Sequence, residues 1–464
     1  MKELKVLIAP WGDPMGWQKV KYRFGDDERE GWDTVPILAD NLGVEDVIFV
    51  VSDTLLNSVI GIAKGDGWFL DKLDKKFDSG RKEEIIKQSL KAWNSLSSSL
   101  DNGANPEEVY DMIRGMVRNY VETFIEKYVN SSIKSTKLRK RIFVEFGTGR
   151  FKYLESIGSP VDFYYSFLAD LAKYLISKDV LSHDQLTIYL DTTHGINYFT
   201  IMTYKAVRVI ASLLANLIDV RVITYNTDPF VPGADVNKAL FVSQTENILA
   251  EPYTSIYVTK SKNSLSSEEK NLIYFLASVK FMLLLPMLYF VSTESMDNKI
   301  STQINDYISN FQFNLNSRLY VNKESRHLKN IELHVKVYLW QQILKKIFKG
   351  QTLNSLRNKV TDDGLSLNEL EQIVNSIKNP AVHIAKEEIE HIRHVVYKEG
   401  EQYIGIRQNA DINWVKRNLL AHAGFVLKSP VKPKHNDDPV FKISDTKFFL
   451  DTLRYSLLEL AKTQ

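Results

Sequence analysis

The sequence predicts a Rossmann-like α/β N-terminal half carrying a helical insertion, followed by an all-α C-terminal half. Three observations predict it. Up to about residue 250, short β-rich runs alternate with helical stretches, as in an open parallel sheet covered on both faces. A long helical stretch, about residues 71–140, interrupts the alternation between the second and third runs. After a polar hinge around residues 260–267 the β pattern disappears, so the expected division is 1–259 and 260–464.

The expected strands are Lys5–Ala9, Asp46–Val51, Arg141–Phe146, Leu186–Leu190 and Val220–Tyr225. They are short apolar runs, as strands buried on both faces should be. Within the insertion, Asn105-Pro106-Glu107-Glu108 supplies an N-cap, a proline at the first helical position and acids in the first turn. Val109, Met112, Met116, Tyr120, Phe124 and Tyr128 follow at helical steps and read as core. Ser266-Ser-Glu-Glu269 opens a water-exposed helix start, and the Leu272–Val291 stretch behind it, interrupted by Lys280 and Pro286, reads as a buried helix and not a membrane span. Ser366-x-x-Glu369 starts another helix, Asn379-Pro380 breaks one, and Lys428–His435 is a basic loop with prolines.

Composition narrows the function classes. The chain has 464 residues, 44% hydrophobic and 25% charged, which suits a folded protein with more than one core. Lys and Arg number 59 against 57 Asp and Glu, so any anion site must be local. With no cysteine there is no disulfide, thiol nucleophile or Cys-ligated metal, and a reducing, cytoplasmic setting is expected. The apolar run before Trp11–Pro14 is too short for a signal peptide. His391 and His394 lie one turn apart without a third ligand, so no metal site is expected.

In an open α/β sheet, ligands sit beyond the carboxyl ends of the strands. Four loops there carry binding chemistry: Pro10–Trp17, with Trp11, Gly12 and Asp13; the turn beginning Ser52-Asp53-Thr54; Gly147-Thr148-Gly149-Arg150; and Asp191-Thr192-Thr193-His194-Gly195-Ile196-Asn197. Glycines admit close approach, hydroxyls and Asn supply neutral hydrogen bonds, and tryptophans offer stacking faces. Together they suit a nucleotide-like ligand. The glycine spacing matches neither a dinucleotide fingerprint nor a P-loop, which sets aside both classes. The Asp191–Asn197 run is the strongest of the four, because it leads into a helix N-terminus. Trp11 and Trp17 suit either ligand stacking or interface packing.

In the C-terminal half the sharpest signal is Arg417-Asn418-Leu-Leu-Ala-His422. A permanently charged Arg holds a phosphate with its planar fork, and a His titrating near neutrality moves a proton to or from a ribose 2′-hydroxyl or a leaving 5′-oxygen. Those are the two needs of metal-independent RNA cleavage. Residues five apart lie about 140° apart around an ideal helix, so two copies across a twofold axis would form the cleft better than one.

An α/β half with these loops, followed by a helical half carrying Arg417-Asn418-x-x-x-His422, resembles the CARF–HEPN ancillary ribonucleases of type III CRISPR systems. The resemblance implies a homodimer, or a higher assembly of dimers, whose CARF domains bind a cyclic oligoadenylate as allosteric activator, with cyclic tetra-adenylate the preferred ring. It implies no cofactor, no metal and no membrane partner. The HEPN half would cut single-stranded RNA to a 2′,3′-cyclic phosphate and a 5′-hydroxyl, with Arg417 on the scissile phosphate, His422 as general acid and base, and Asn418 supporting the motif. The 71–140 insertion lies outside a minimal CARF fold. Two alternatives stay open from the residues: a ligand-responsive nucleic-acid-binding regulator without catalysis, and a HEPN toxin.

Overall fold

The computed structural model describes residues 2–134, 138–195, 198–229, 238–252, 265–323, 328–349, 351–363, 365–399, 420, 430–431, 440–441 and 447–461. The chain divides into two compact units. The first comprises Met1–Ile210, Val220–Leu249 and Ile300–Ile331, and the second Ala211–Asp219, Ala250–Lys299 and Glu332–Gln464.

The first unit is built on β1 (Glu3–Pro10), β2 (Val20–Phe24), β3 (Asp27–Gly31), α1 (Val35–Leu42), β4 (Asp46–Ser52), β5 (Arg139–Glu145), β8 (Gln185–Asp191), β9 (Asp219–Thr227) and β10 (Leu240–Leu249). All five expected strands are present, as β1, β4, β5, β8 and β9. They run near-continuously apolar because both faces are covered: Val6, Leu7, Ile8, Val47, Ile48, Phe49 and Val50 are all fully buried. The sheet order is β3-β2-β10-β9-β8-β1-β4-β5. β1 pairs in parallel with both β4 and β8, and β4 with β5. Strand order therefore reverses between β1 and β8, opening a crevice beyond their carboxyl ends.

The sheet is mixed where a parallel one was expected. β10 runs antiparallel to β9, and the β2–β3 hairpin extends the edge beyond it. Asp27–Gly31 is almost wholly charged and β10 largely polar and exposed, so their strand form comes from pairing and not from an apolar pattern.

Between β4 and β5 lies the helical insertion: α2 (Leu56–Ala63), α3 (Gly67–Asp74), α4 (Ser79–Asp101) and α5 (Pro106–Ile125). The side chain of Asn105 accepts from Glu108 N at 2.8 Å, capping α5 with Pro106 in the first turn. Val109, Met116, Tyr120, Phe124 and Tyr128 are buried along its face and join the same core as Trp11 and Phe49. Two further short strands, β6 (Gly149–Arg150) and β7 (Leu154–Ile157), precede α6 (Pro160–Ser177), and α7 (Tyr198–Leu214) follows β8.

The second unit contains α8 (Ser267–Lys280), α9 (Leu284–Tyr289), the start of α10 (Met296–Ser309), α11 (Ile331–Ile347), α12 (Leu353–Asn358), α13 (Leu367–Ser376), α14 (Val382–Glu399) and a final helix Lys447–Ala461. Ser266 with Glu269, and Ser366 with Glu369, form complete capping boxes. The Leu272–Val291 stretch is buried, but it is two helices where one was expected. Met282 takes φ 51° between them, and Pro286, which lacks an N–H and would crowd the carbonyl four residues back, forbids a continuous helix. Among the described residues, no helix is long and apolar enough to cross a membrane.

The expectation of an all-α region after residue 260 also needs correction. β11 (Gln312–Leu315) and β12 (Leu319–Asn322) form a hairpin that pairs through β12 with β7, and three short strands at 365–366, 430–431 and 440–441 form a small antiparallel sheet. The 311–322 run alternates apolar and polar residues in only two four-residue pieces, too short to stand out against flanking helices.

Candidate ligand pocket

The loops following β1, β8 and β9 enclose a cavity of 550 Å³ at the point where strand order reverses. That volume falls within the roughly 300–1,000 Å³ of small-molecule sites. Its wall includes Trp17, Gln18, Tyr22, Thr192, Thr193, His194, Asn226 and Thr227, with Asp228 the one carboxyl side chain among the described lining residues. Apart from that carboxyl, the polar groups of the wall are hydroxyls, amides and aromatic rings.

Trp17 and His194 form the aromatic side of the cavity, their rings stacked at 4.2 Å and 29°. The His194 Nε2 lies 3.3 Å from the Tyr22 hydroxyl and 3.9 Å from Asp33 Oδ2. Burial pushes the His194 imidazole down to about 3, so it is neutral throughout the physiological range and acts as a hydrogen-bonding ring. The Gly12 N–H donates to the His194 carbonyl at 2.9 Å, tying the first loop to the fourth. Thr192 is fixed from the β9 side, its N–H and Oγ1 both donating to the Tyr225 carbonyl at 2.9 and 2.8 Å.

Two buried carboxyls support this floor. Asp191 accepts from Thr193 N at 3.0 Å and from the Thr34 hydroxyl. Asp33 caps the start of α1 by accepting from Val35 N. Burial raises Asp33 well above the usual carboxylate range, and the neighbouring Asp191 adds to the effect; Asp191 is raised by burial too.

The expected binding residues fall into two groups. Thr192, Thr193 and His194 line the cavity, and Gly12 is outside its wall, bonded through its backbone N–H to the His194 carbonyl. Gly195 sits behind them, where an added Cβ would come within 1.9 Å of Thr200 Oγ1. Trp11 is fully buried, edge-on to Phe49 at 4.6 Å and to Trp17 at 4.9 Å, so it backs the stacking residue from inside the core. Asp13 is an anchor, accepting from Met15 N, the Ser58 hydroxyl and the Tyr120 hydroxyl.

Ser52, Thr148 and Gly149 lie at the ends of β4 and β5, around a different polar knot. Ser52 Oγ is 2.6 Å from Thr54 Oγ1, and Thr148 N donates to the Tyr198 hydroxyl at 3.0 Å. Asp53 there accepts from Gly147 N, Tyr110 and Lys323. Asn197, Arg417, Asn418 and His422 lie outside the described residues, as does the basic loop 428–435 apart from Pro430 and Val431.

Tyr22, Gln18, Asn226 and Thr227 were not singled out from sequence. Asn226-Thr227-Asp228 ends the fifth strand, where the same strand-end rule that selects the other loops applies. Tyr22 reaches the site from the edge hairpin, which carried no sequence signal of its own.

Comparison with known proteins agrees with this architecture. Residues 6–229 match the family described as the CARF domain of CRISPR system endoribonuclease Csx1. The CRISPR system endoribonuclease Csx1 of Methanocaldococcus jannaschii is 25% identical over 473 aligned positions, covering 91% of this chain and 85% of the relative. The crevice at the strand-order reversal and the matched stretch lead to one statement: residues 6–229 are similar to the CARF domain of Csx1, and most of the chain is similar to a CRISPR system endoribonuclease.

Proposed function

We propose that this protein is an endoribonuclease of type III CRISPR antiviral defence, switched on when a cyclic oligoadenylate, with cyclic tetra-adenylate the preferred ring, occupies the cavity beyond the carboxyl ends of β1, β8 and β9. The observation that carries the ligand class is the stacked Trp17–His194 pair beside a rim of neutral hydroxyl and amide groups. An adenine offers a π-face to the aromatic side, and its ring nitrogens and amine match Asn226, Thr192 and Thr193. Cyclic tetra-adenylate contains a twofold axis, and a homodimer presenting two such cavities about one axis matches it.

Catalysis is assigned to the C-terminal half, to Arg417 on the scissile phosphate, His422 as general acid and base and Asn418 in support, paired between two copies. The 2′-hydroxyl attacks the adjacent phosphorus, the P–O5′ bond breaks, and the products carry a 2′,3′-cyclic phosphate and a 5′-hydroxyl. In this scheme protons are handled by His422 and charge by Arg417, and no metal is required. Activation requires only that the ligand bind more tightly to the dimer state in which the two Arg417–His422 sets face one RNA strand.

The test is equilibrium binding of labelled cyclic tetra-adenylate to the full chain, with linear tetra-adenylate and cyclic hexa-adenylate as competitors, beside cleavage of single-stranded RNA. Tight binding of one ring that linear RNA cannot displace, with cleavage only in its presence, is the expected result. Cleavage indifferent to every cyclic oligoadenylate would overturn the proposal.

A further inference from the structure

The ligand-facing loop Pro10–Trp17 is held chiefly from one direction. Besides Ser58 on α2, whose hydroxyl donates to Asp13 Oδ2 at 2.5 Å, three side chains of the helical insertion reach it: the Tyr120 hydroxyl donates to Asp13 Oδ1 at 2.7 Å, the Tyr128 hydroxyl to the Pro14 carbonyl at 3.1 Å, and Lys76 Nζ to the Trp17 carbonyl at 2.6 Å. Tyr120 lies on α5, Tyr128 just beyond it, and Lys76 between α3 and α4. Of the three, Lys76 bonds to the residue whose ring faces the cavity.

Lys76 is an unusual residue to find there. Its side chain is buried, its ammonium sits 4.0 Å from the centroid of the Trp32 ring and 5.5 Å from that of Tyr128. Those rings belong to a continuous aromatic run: Trp32 stacks on Tyr128 at 4.9 Å, Tyr128 lies 6.0 Å from Trp17, and Trp17 stacks on His194 at 4.2 Å. The run therefore leads from the insertion to the cavity wall. Burial lowers the Lys76 pKa to about 8, so the amine is held at a desolvation cost that an apolar residue of the same length would not incur. Packing alone does not call for an amine at this position; the Trp17 carbonyl and the two ring faces are what it serves.

We infer that the helical insertion is a clamp that pre-organises the ligand pocket, with Lys76 the positioning residue that fixes Trp17 against His194. This rests on the proposed ligand reading, and it gives the insertion a role in setting activator affinity. A wall residue already fixed in its bound position loses no further freedom on binding; released, it must be re-ordered by the ligand at a cost in affinity.

The experiment compares the full-length wild type with Lys76→Met and Lys76→Arg. Measured are affinity for labelled cyclic tetra-adenylate, maximal RNA cleavage at saturating activator, the thermal midpoint, and amide exchange of residues 13–17 without ligand. Lys76→Met is expected to weaken binding about tenfold. Exchange at Gly16 and Trp17 should quicken, while maximal cleavage stays unchanged and the midpoint is not lowered. Lys76→Arg, which keeps the donor and the cation over Trp32, should recover most of the affinity. Unchanged exchange at Gly16 and Trp17 in Lys76→Met overturns the clamp whatever the ligand is. Weaker binding that only tracks a lowered midpoint, without rescue by Arg, overturns it too and makes Lys76 a packing residue. If the wild type binds no cyclic oligoadenylate, the ligand reading fails separately, and the ligand-free exchange still decides whether Lys76 holds the loop.

Discussion

Lys323 and Asp53 form a buried ion pair, with Nζ 2.6 Å from Oδ2 and side-chain exposures of 2% and 4%. Asp53 opens the turn after β4, and Lys323 follows the β11–β12 hairpin, 270 residues later. The pair is fully dressed with hydrogen bonds. Lys323 Nζ also donates to the Gly147 carbonyl at 2.7 Å, and Asp53 accepts from the Tyr110 hydroxyl and Gly147 N, each at 2.9 Å. The hairpin is thereby locked to the ends of β4 and β5 within the first compact unit.

Removing one partner of such a pair leaves the other buried and uncompensated, which costs about 3–5 kcal/mol. Lys323→Met should therefore lower the unfolding free energy by about that amount, and Lys323→Met with Asp53→Asn should cost clearly less than the two single changes summed. Denaturant titration of the four proteins measures it. Additive losses would mean that the two side chains are not coupled.

Gly147 is required by space. A Cβ there would meet Ser52 Oγ at 1.8 Å, with Ser52 Cβ and Thr54 Cγ2 both at 3.1 Å. Gly147→Ala should destabilise by about 1–3 kcal/mol through overpacking. The loss should shrink in a Ser52→Ala background, where the closest atom is gone. An equal loss in both backgrounds would place the clash elsewhere.

Asp33 gives a pH signature. Its folded pKa is raised by burial and by Asp191, so between its unfolded and folded values the native state binds more protons than the unfolded one. Stability then falls as pH rises through that window, beginning above the ordinary carboxylate value of about 4. Asp33→Asn keeps the side-chain oxygen that accepts from Val35 N and removes the charge. It should raise the thermal midpoint relative to wild type at pH 8 and by much less at pH 5. A gain independent of pH, or a loss at pH 8, would contradict the assignment.

Pocket and catalytic changes should separate. Trp17→Ala removes a stacking face of the kind that contributes about 1–3 kcal/mol per base, and should weaken activator binding by about 5- to 150-fold with the maximal cleavage rate preserved. Thr193→Ala and Asn197→Ala should likewise raise the activator concentration needed. Arg417→Ala should do the reverse, abolishing cleavage while leaving ligand binding intact. Titration of activator against cleavage rate distinguishes the two classes, and loss of binding in Arg417→Ala would undermine the division of labour.

What could be read from sequence follows from what is locally encoded. The central strands are apolar runs with clear turn residues around them, and Asn105, Ser266 and Ser366 announce their helices by capping chemistry that depends on three residues alone. The β2–β3 hairpin, β10 and the β11–β12 hairpin are specified by partners distant in sequence, such as Leu319 against Leu154, and leave little local trace. The cavity-lining loops after β1 and β8 were legible as candidates because strand ends are where α/β sheets bind ligands. Which residue of a loop faces the cavity was not. Trp11 and Trp17 are chemically alike, and only the packing of Trp11 on Phe49 turns it inward while Lys76 and His194 hold Trp17 at the wall. Lys76 itself sits in an ordinary charged stretch, Lys72 to Lys76, with nothing to mark it.

The most direct test of the account is cleavage of labelled single-stranded RNA in EDTA, with and without cyclic tetra-adenylate, by wild type and His422→Ala. The wild type is expected to cut only when activator is present, giving products that end in a 2′,3′-cyclic phosphate, and His422→Ala is expected not to cut. Cutting by His422→Ala at the wild-type rate, or RNA left intact by the wild type with every cyclic oligoadenylate supplied, would contradict it.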